Sequence, residues 1–463
     1  MSTVAVILAA GLGKRMQSRR PKVLHPILGD PSLLWVLRAL PPGTAHALVV
    51  VHHGAEQVVA ALEAWREAGL LPCAVEALDQ GQPLGTGHAL QACSRRLDQL
   101  GAGQVVILCG DVPLVSRATV AGLCDGPPAL LAMDVADPTG YGRVLEGAAG
   151  ELAGLVEEKD ASPGQRRVQR VNGGAYGLPW ELLKPALAGL TDQNAQGEYY
   201  LTDAVADIAR RTRVDVRLCD AAELMGMNSR ADQARLQALA RDRANARWME
   251  AGVGFLDPSS AWIGPRVELA ADVVLEPGVR LEGGTTVGEG ASIGQGCILV
   301  DAAVGPDTRL RPYSLVERAR VGAGCVVGPF ARLREGTVLE DGVHVGNFVE
   351  TKQATLAAGA KANHLAYLGD ARIGEGTNIG AGVITCNYDG VSKHRTEIGA
   401  GVFVGSDTQL VAPVAIGDGA VIGAGSTITG DVPPGALALS RAAQVVKEDG
   451  AGRLRAKLRA KLG

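Results

Sequence analysis

From Ile263 onward an aliphatic residue returns at every sixth position: Ile263, Leu269, Leu275, Leu281, Val287, Ile293 and Leu299. The beat recurs at Val321, Val327, Leu333, Leu339 and Val345, and again at Ile398, Val404, Leu410, Ile416, Ile422 and Ile428. Glycine often follows, as in Ile263-Gly264, Val327-Gly328 and Ile416-Gly417. A helix repeats about every 3.6 residues and a strand about every two, so neither produces this spacing. One inward aliphatic residue per hexad marks a parallel β-helix, in which each hexad forms one short side of a coil. Strands of stacked coils pair about 4.8 Å apart, and each turn buries its face only against its neighbours. The composition agrees, since 62 glycines and only 3% aromatic residues imply regular packing of small and aliphatic side chains.

Two segments stand out from the repeat. Leu356 to Leu368 breaks the phase and carries His364 and Tyr367, while Cys386 to Thr396 is a polar insertion containing Asn387-Tyr388-Asp389-Gly390. Long irregular segments on a regular solenoid usually serve function, the alternative being a solvated loop.

The first half reads differently. At 463 residues the chain exceeds one ordinary core. Up to about Arg230, strand-like runs (Val4–Ala9, Ala47–Val51, Val105–Leu108) alternate with amphipathic segments (Ser32–Leu40, Ala55–Ala68), which argues for a parallel sheet covered by helices. Ala231 to Ala251 lacks Pro and Gly and reads as one linking helix, and the basic stretch Arg441 to Gly463 as a terminal arm or helix. The expected organisation is an α/β domain over 1–229, a helical linker over 230–250, a β-helix domain over 251–440 and an arm over 441–463.

With 45 Lys+Arg against 49 Asp+Glu, a net charge of -4 gives no reason to expect nucleic acid or an anionic membrane as partner. The apolar run Val4 to Ala10 is too short for a leader or a span. Cysteines at 73, 93, 109, 124, 219, 297, 325 and 386 show no zinc-ligand spacing or disulfide framework, so reduced thiols in a cytoplasm are expected.

Leu8-Ala9-Ala10-Gly11-Leu12-Gly13-Lys14-Arg15-Met16 follows a strand; its glycines let backbone N–H groups approach an anion while Lys14 and Arg15 add charge. It matches neither GxxxxGK[ST] nor GxGxxG, and alone it would serve equally as a tight strand–helix turn. Asp111 follows the strand Val105–Leu108, where such sheets bind ligands, and its hard oxygens suit Mg2+; alone it would equally cap a helix.

Together with Pro21-Lys22 and Gly110-Asp111, the loop resembles the sugar-phosphate nucleotidyltransferases, whose signature is LAAGxGxRM, then PK, then GD. Gln80 with Gly85-Thr86-Gly87-His88, Tyr141-Gly142-Arg143, Val156-Glu157-Glu158-Lys159-Asp160, Asn172-Gly173-Gly174 and Gly197-Glu198-Tyr199-Tyr200-Leu201-Thr202-Asp203 narrow the match. With Lys361-Ala362-Asn363-His364-Leu365-Ala366-Tyr367-Leu368-Gly369-Asp370, essentially the whole chain resembles the bacterial bifunctional N-acetylglucosamine-1-phosphate uridylyltransferase/glucosamine-1-phosphate N-acetyltransferase family.

The resemblance implies an α/β nucleotidyltransferase domain with a Rossmann-like mixed sheet, a left-handed parallel β-helix and a homotrimer. It implies that Leu8, Ala10, Gly11, Lys22, Gln80, Gly85 and Thr86 bind UTP or the UDP-sugar, with Arg15 and Lys22 near the phosphates. Asp111 and Asn228 would hold Mg2+, and Gly142, Glu157, Asn172 and Thr202 would surround the sugar. Arg334, Lys352, Tyr367, Asn378 and Lys393 would bind glucosamine 1-phosphate; Ala381, Asn387, Tyr388, Ser406, Ala424 and Arg441 would bind acetyl-CoA. Two residues depart from the family: Cys109 stands where relatives often carry Tyr, and Asn363 where they commonly carry Gly.

Acetyl transfer to an amine needs a base for the amine proton, and histidine titrates near neutrality, at about 6.5. A lone histidine is more often structural, but the motif around His364 makes it the candidate base. Two other readings fit the repeat: a nucleotidyltransferase whose β-helix serves only assembly, and a non-enzymatic scaffold. Nucleotide binding with Mg2+ and thiol release from acetyl-CoA separate them.

Overall fold

The apolar run near the start becomes the strand Ser2–Leu8, inside a sheet that buries both of its faces. Val4 and Val6 point into one core, with Leu48, Leu90 and Ile107, while Ala5 and Ile7 point into the other, with Leu33, Val49 and Val106. Alternation of side chains along a strand sends successive residues to opposite faces, so a sheet covered on both sides needs a continuous apolar run. Burying one such side chain stabilises the fold by about 1.5–3 kcal/mol.

The strand order is Asp215–Leu218, Ala129–Asp134, Arg170–Pro179, Ala102–Cys109, Ser2–Leu8, Thr44–Val51, Ala74–Asp79. The sheet is mixed, as the resemblance implies, and not parallel throughout as the strand–helix alternation suggested. Arg170–Pro179 runs antiparallel to both neighbours, because it also pairs with the hairpin of Arg143–Glu146 and Leu152–Val156 that turns the chain back. The other neighbouring pairs in this order are parallel.

The helix Arg230–Glu250 starts at a reciprocal cap. The backbone N–H of Ser229 and its hydroxyl donate to Asp232 Oδ2 at 2.9 and 2.8 Å, while the Asp232 N–H donates to Ser229 Oγ at 3.1 Å. The chain divides into two compact units between Ala244 and Asn245, within this helix. In the second unit Asn245 donates to the carbonyls of Pro258 and Ala261, and Trp248 packs on the coil core.

The computed structural model describes residues 2–461; residues 1, 462 and 463, at the ends of the expected first domain and arm, lie outside them. Beyond the helix every strand of the coil runs parallel to its neighbour one turn away: Trp262 pairs with Arg280, and Arg280 with Ile298, three hexads per turn. The in-phase aliphatics line the interior, with Ile263, Leu281, Ile293, Leu299 and Val327 fully buried.

One expectation changes. Leu356 to Leu368 is not an irregular interruption: Leu356, Ala362 and Leu368 all point inward, and the segment contains the regular strand Lys361–His364 and enters Tyr367–Ile373. The phase merely slips by one residue between Thr351 and Leu356, as it does between Leu299 and Val304, Val316 and Val321, and Leu368 and Ile373. Each shortened side contains a non-glycine residue in the left-handed region, Gln353, Asp301, Arg318 and Asp370 respectively, which lets the chain turn one residue early. Cys386 to Thr396 is a true insertion between the strands Ile384–Cys386 and Thr396–Ile398. The arm ends in the exposed helix Gly450–Arg459. Among the described residues no helix is long and apolar enough to cross a membrane.

Candidate active sites

In the first unit, a cleft of about 360 Å³ opens at the carboxyl ends of Ser2–Leu8 and Ala102–Cys109. Leu8, Ala10, Gly11, Lys22, Gln80, Gly85, Thr86, Cys109 and Asp111 line it. Buried Gln80 donates to the Gly85 carbonyl at 3.0 Å, and the Thr86 hydroxyl accepts from Leu201 N–H at 3.1 Å, which anchors the far wall. Asp111 pairs with the Lys22 ammonium, which also donates to Asn228 Oδ1 at 3.3 Å. Residues far apart in sequence thus converge on a single positive charge. Asn228 reaches that point because the Ser229–Asp232 cap fixes the turn next to it, and Met227 N–H donates to the Asp111 carbonyl at 2.8 Å.

Gly142, Glu157, Asn172 and Thr202 form an adjoining group. Asn172 N–H donates to the Gly142 carbonyl at 2.9 Å, and the Thr202 hydroxyl donates to Glu157 Oε1 at 3.1 Å. Burial raises the Glu157 carboxyl above the usual range, the Thr202 bond opposes this, and Asp203, Asp160 and Glu198 add to it. Cys109 Sγ, facing the Gly174 carbonyl at 3.4 Å, links this group to the cleft, and burial pushes its thiol up to about 12. Arg15 stands apart, exposed on the tight turn Lys14–Met16.

In the coil, pairing aligns what sequence spacing scatters. Asn347 lies over His364, and the registers Ala362 with Ile379, Ile379 with Val404 and Val404 with Ile422 carry the column on through Ala381, Ser406 and Ala424. These residues form one ridge parallel to the coil axis, with His364 about 14 Å from Ala424 at about 4.8 Å per turn. The Arg441 guanidinium donates to the Ala424 carbonyl at 2.9 Å and marks the ridge's far end. His364 Nδ1 lies 3.3 Å from Asn347 Oδ1. Asn363 stands in the parallel column between Gly346 and Gly380.

Around the next corner lies a group of cations. Arg334 donates to Glu350 Oε1 at 2.7 Å, and Glu350 pairs in register with Tyr367. Lys352 lies against Lys393, whose like charge lowers its proton affinity below the usual lysine value. Tyr367 folds its hydroxyl over Gly369, where any Cβ would sit 2.4 Å from that oxygen. Asn387 donates to Asp370 Oδ2, and the exposed Tyr388 donates to the Gly390 carbonyl at 2.6 Å. Asn378 is not brought to the cations; it lies on a different side of the coil, in register between Lys361 and Phe403.

The profile of the MobA-like NTP transferase domain matches residues 5–174, that of the GMPPB C-terminal domain residues 263–359, and that of the bacterial transferase hexapeptide (six repeats) residues 395–430. The bifunctional protein GlmU of Alkalilimnicola ehrlichii is 48% identical over 445 residues, covering 95% of this chain and 94% of that protein. That of Sorangium cellulosum is 45% identical over 464 residues, covering 98% and 97%. The chain belongs to the GlmU family.

As a GlmU family member it is a bifunctional transferase of UDP-N-acetylglucosamine synthesis, a glucosamine-1-phosphate N-acetyltransferase and a UDP-N-acetylglucosamine diphosphorylase. Several contacts at these GlmU sites escaped the motifs. Asn347 precedes His364 by one turn, but the side shortened at Gln353 makes that turn one residue short, so counting hexads back lands on Gly346 instead. Tyr176, whose hydroxyl accepts from Asn172 Nδ2 at 2.6 Å, lies on the same strand four residues on but outside the Asn172-Gly173-Gly174 motif, and Asp370 ends the quoted coil motif, though only coil pairing brings it to Asn387.

Proposed function

We propose that the two reactions run at two separate sites, uridylyl transfer within 1–229 and acetyl transfer within 251–440, joined by the helix over 230–250. The convergence of Asp111 and Asn228 on one cation supports the first assignment, and the ridge through His364, Ala381, Ser406 and Ala424 supports the second.

The oxygens of Asp111 and Asn228 are hard donors already aimed at a positive charge, so they fit Mg2+, which takes few protein ligands and fills its sphere with water and phosphate. Bound there, it would offset charge on the triphosphate and the departing pyrophosphate. The loop at Ala10 and Gly11, with Arg15 and Lys22, receives the phosphates of UTP; Leu8, Gln80, Gly85 and Thr86 hold the nucleotide. Gly142, Glu157, Asn172 and Thr202 orient the sugar. The sugar phosphate's oxygen then attacks the α-phosphorus in line, a P–O bond forms, and the bond to the β-phosphate breaks. Positioning and charge neutralisation supply the catalysis.

At the coil, Arg334, Lys352 and Lys393 take the phosphate of glucosamine 1-phosphate, with Tyr367. Acetyl-CoA lies along Ala381, Ser406 and Ala424 with Asn387, Tyr388 and Arg441. Nε2 of His364 accepts the amine proton as nitrogen attacks the thioester carbonyl; the C–N bond forms, the C–S bond breaks and the thiol leaves. A cytoplasmic homotrimer completes the reading; the eight free cysteines and the hexapeptide coil support it.

One assay tests the scheme: glucosamine 1-phosphate, acetyl-CoA, UTP and Mg2+, with UDP-N-acetylglucosamine followed as product. Asp111→Asn should nearly abolish product and accumulate N-acetylglucosamine 1-phosphate. Equal loss of both activities would refute the division of labour.

A further inference from the structure

The Lys22 ammonium occupies the point between Asp111 Oδ2 and Asn228 Oδ1, the two oxygens proposed above for Mg2+. Lys22 is also placed among the residues that receive the phosphates. It cannot serve both at once. Mg2+ binds oxygens at about 2.0–2.1 Å, and an ammonium sharing the same two oxygens would face a divalent cation at contact range, where repulsion is strong.

The backbone beneath Lys22 is held in place. His25 N–H donates to the Lys22 carbonyl at 3.2 Å, and buried His25 accepts at Nδ1 from Arg230 at 3.1 Å. Gln233 donates to the Pro26 carbonyl at 3.0 Å and accepts from Arg230 at 2.9 Å. This brace comes from the first turn of the helix that follows Asn228, so it fixes the root of Lys22 relative to the candidate metal ligand. The side chain is another matter: it is a flexible four-carbon stem, 16% exposed. The phosphate loop lies directly beside that stem, for a Cβ on Gly13 would come 2.9 Å from Lys22 Cβ. The ammonium therefore has two destinations within reach of one fixed root, the oxygen pair and the anions on the loop.

Resting on the metal-site reading, we infer that Lys22 is an interlock: it neutralises Asp111 and holds Asn228 until nucleotide phosphates draw it away, so that the metal is accepted with the nucleotide and not ahead of it. The substrate supplies the counter-anion that frees the site. Metal and UTP binding are then positively coupled through one side chain.

The test is Mn2+ binding to the full-length protein, read by the loss of free-ion electron paramagnetic resonance signal, with and without UTP. Without nucleotide, Lys22→Gln should bind Mn2+ at least about tenfold more tightly than wild type, and UTP should add less affinity in the variant. Lys22→Arg, which keeps the charge, should remain weak. Thermal melting and circular dichroism verify folding, and the Arg variant supplies the comparison where the Gln variant fails to fold. Equal Mn2+ affinity in wild type and Lys22→Gln, an undiminished UTP effect, or tightening by Lys22→Arg would overturn the interlock. Adding Asp111→Asn to Lys22→Gln separates the two claims. Loss of the tight Mn2+ supports the site; retention means that the metal binds elsewhere and overturns both.

Discussion

Asn347 and His364 face one another one turn apart along the coil, Oδ1 to Nδ1 at 3.3 Å. Because Asn347 Oδ1 accepts there, the ring proton sits on Nδ1 and Nε2 is left to take a proton. His364→Ala should lower acetyl-transfer kcat by about 100- to 10,000-fold, the range for a positioned base. Asn347→Ala removes one orienting hydrogen bond, worth about 1 kcal/mol, and should cost about five- to tenfold. Steady-state kinetics on both variants, with uridylyl transfer on supplied N-acetylglucosamine 1-phosphate unchanged, checks this. A folded His364→Ala acetylating at the wild-type rate would eliminate the assignment.

Glu157 carries an activity–stability conflict. Its carboxyl is raised chiefly by burial, so its contribution to stability is full below the ordinary value of about 4.3 and is lost as pH rises through the raised one. Glu157→Gln keeps an acceptor for Thr202 but removes the buried charge. The variant should melt higher than wild type at pH 8, the gap should close near pH 4, and KM for the sugar phosphate should rise. A gap independent of pH would contradict the burial argument.

At the phosphate site proposed on the coil, Lys393 lowers the proton affinity of Lys352. Binding of glucosamine 1-phosphate, the substrate assigned to the coil alone, should weaken with rising pH before the ordinary lysine range near 10.4, once the ligand amine's own titration is subtracted. Lys393→Met should weaken binding at pH 7.5 and move that pH limb upward. Calorimetric titration across pH 7.5–10.5 reads both, and an unmoved limb would show that the two ammoniums are uncoupled.

The place where the first unit is cut should matter. Arg230 and Gln233 brace His25 and Pro26, and the compact unit runs to Ala244. A fragment 1–244 should retain uridylyl transfer, while 1–229, lacking those hydrogen bonds, should fall about tenfold or more below it in kcat/KM. Matched activity in the two fragments would show that the brace is dispensable.

Sequence by itself determined the coil, because an interior one side chain wide admits only a narrow range of aliphatics at a fixed interval, and that constraint is written at every sixth residue. It also determined the tight glycine turn after the first strand, the linking helix and Asp111 at a strand's carboxyl end, all of which depend on neighbours within a few positions. Tertiary structure alone decided which corners meet. Each side shortened at Asp301, Arg318, Gln353 or Asp370 shifts the count by one, and the insertion after Cys386 shifts it further, so the alignment of His364 with Ala381, Ser406 and Ala424 appears only once strands pair. The antiparallel course of Arg170–Pro179 and the meeting of Lys22, Asp111 and Asn228 are likewise products of long-range packing. Local pattern records what each residue must be near along the chain, whereas convergence across some 200 residues depends on hydrogen-bond registers that no single segment encodes.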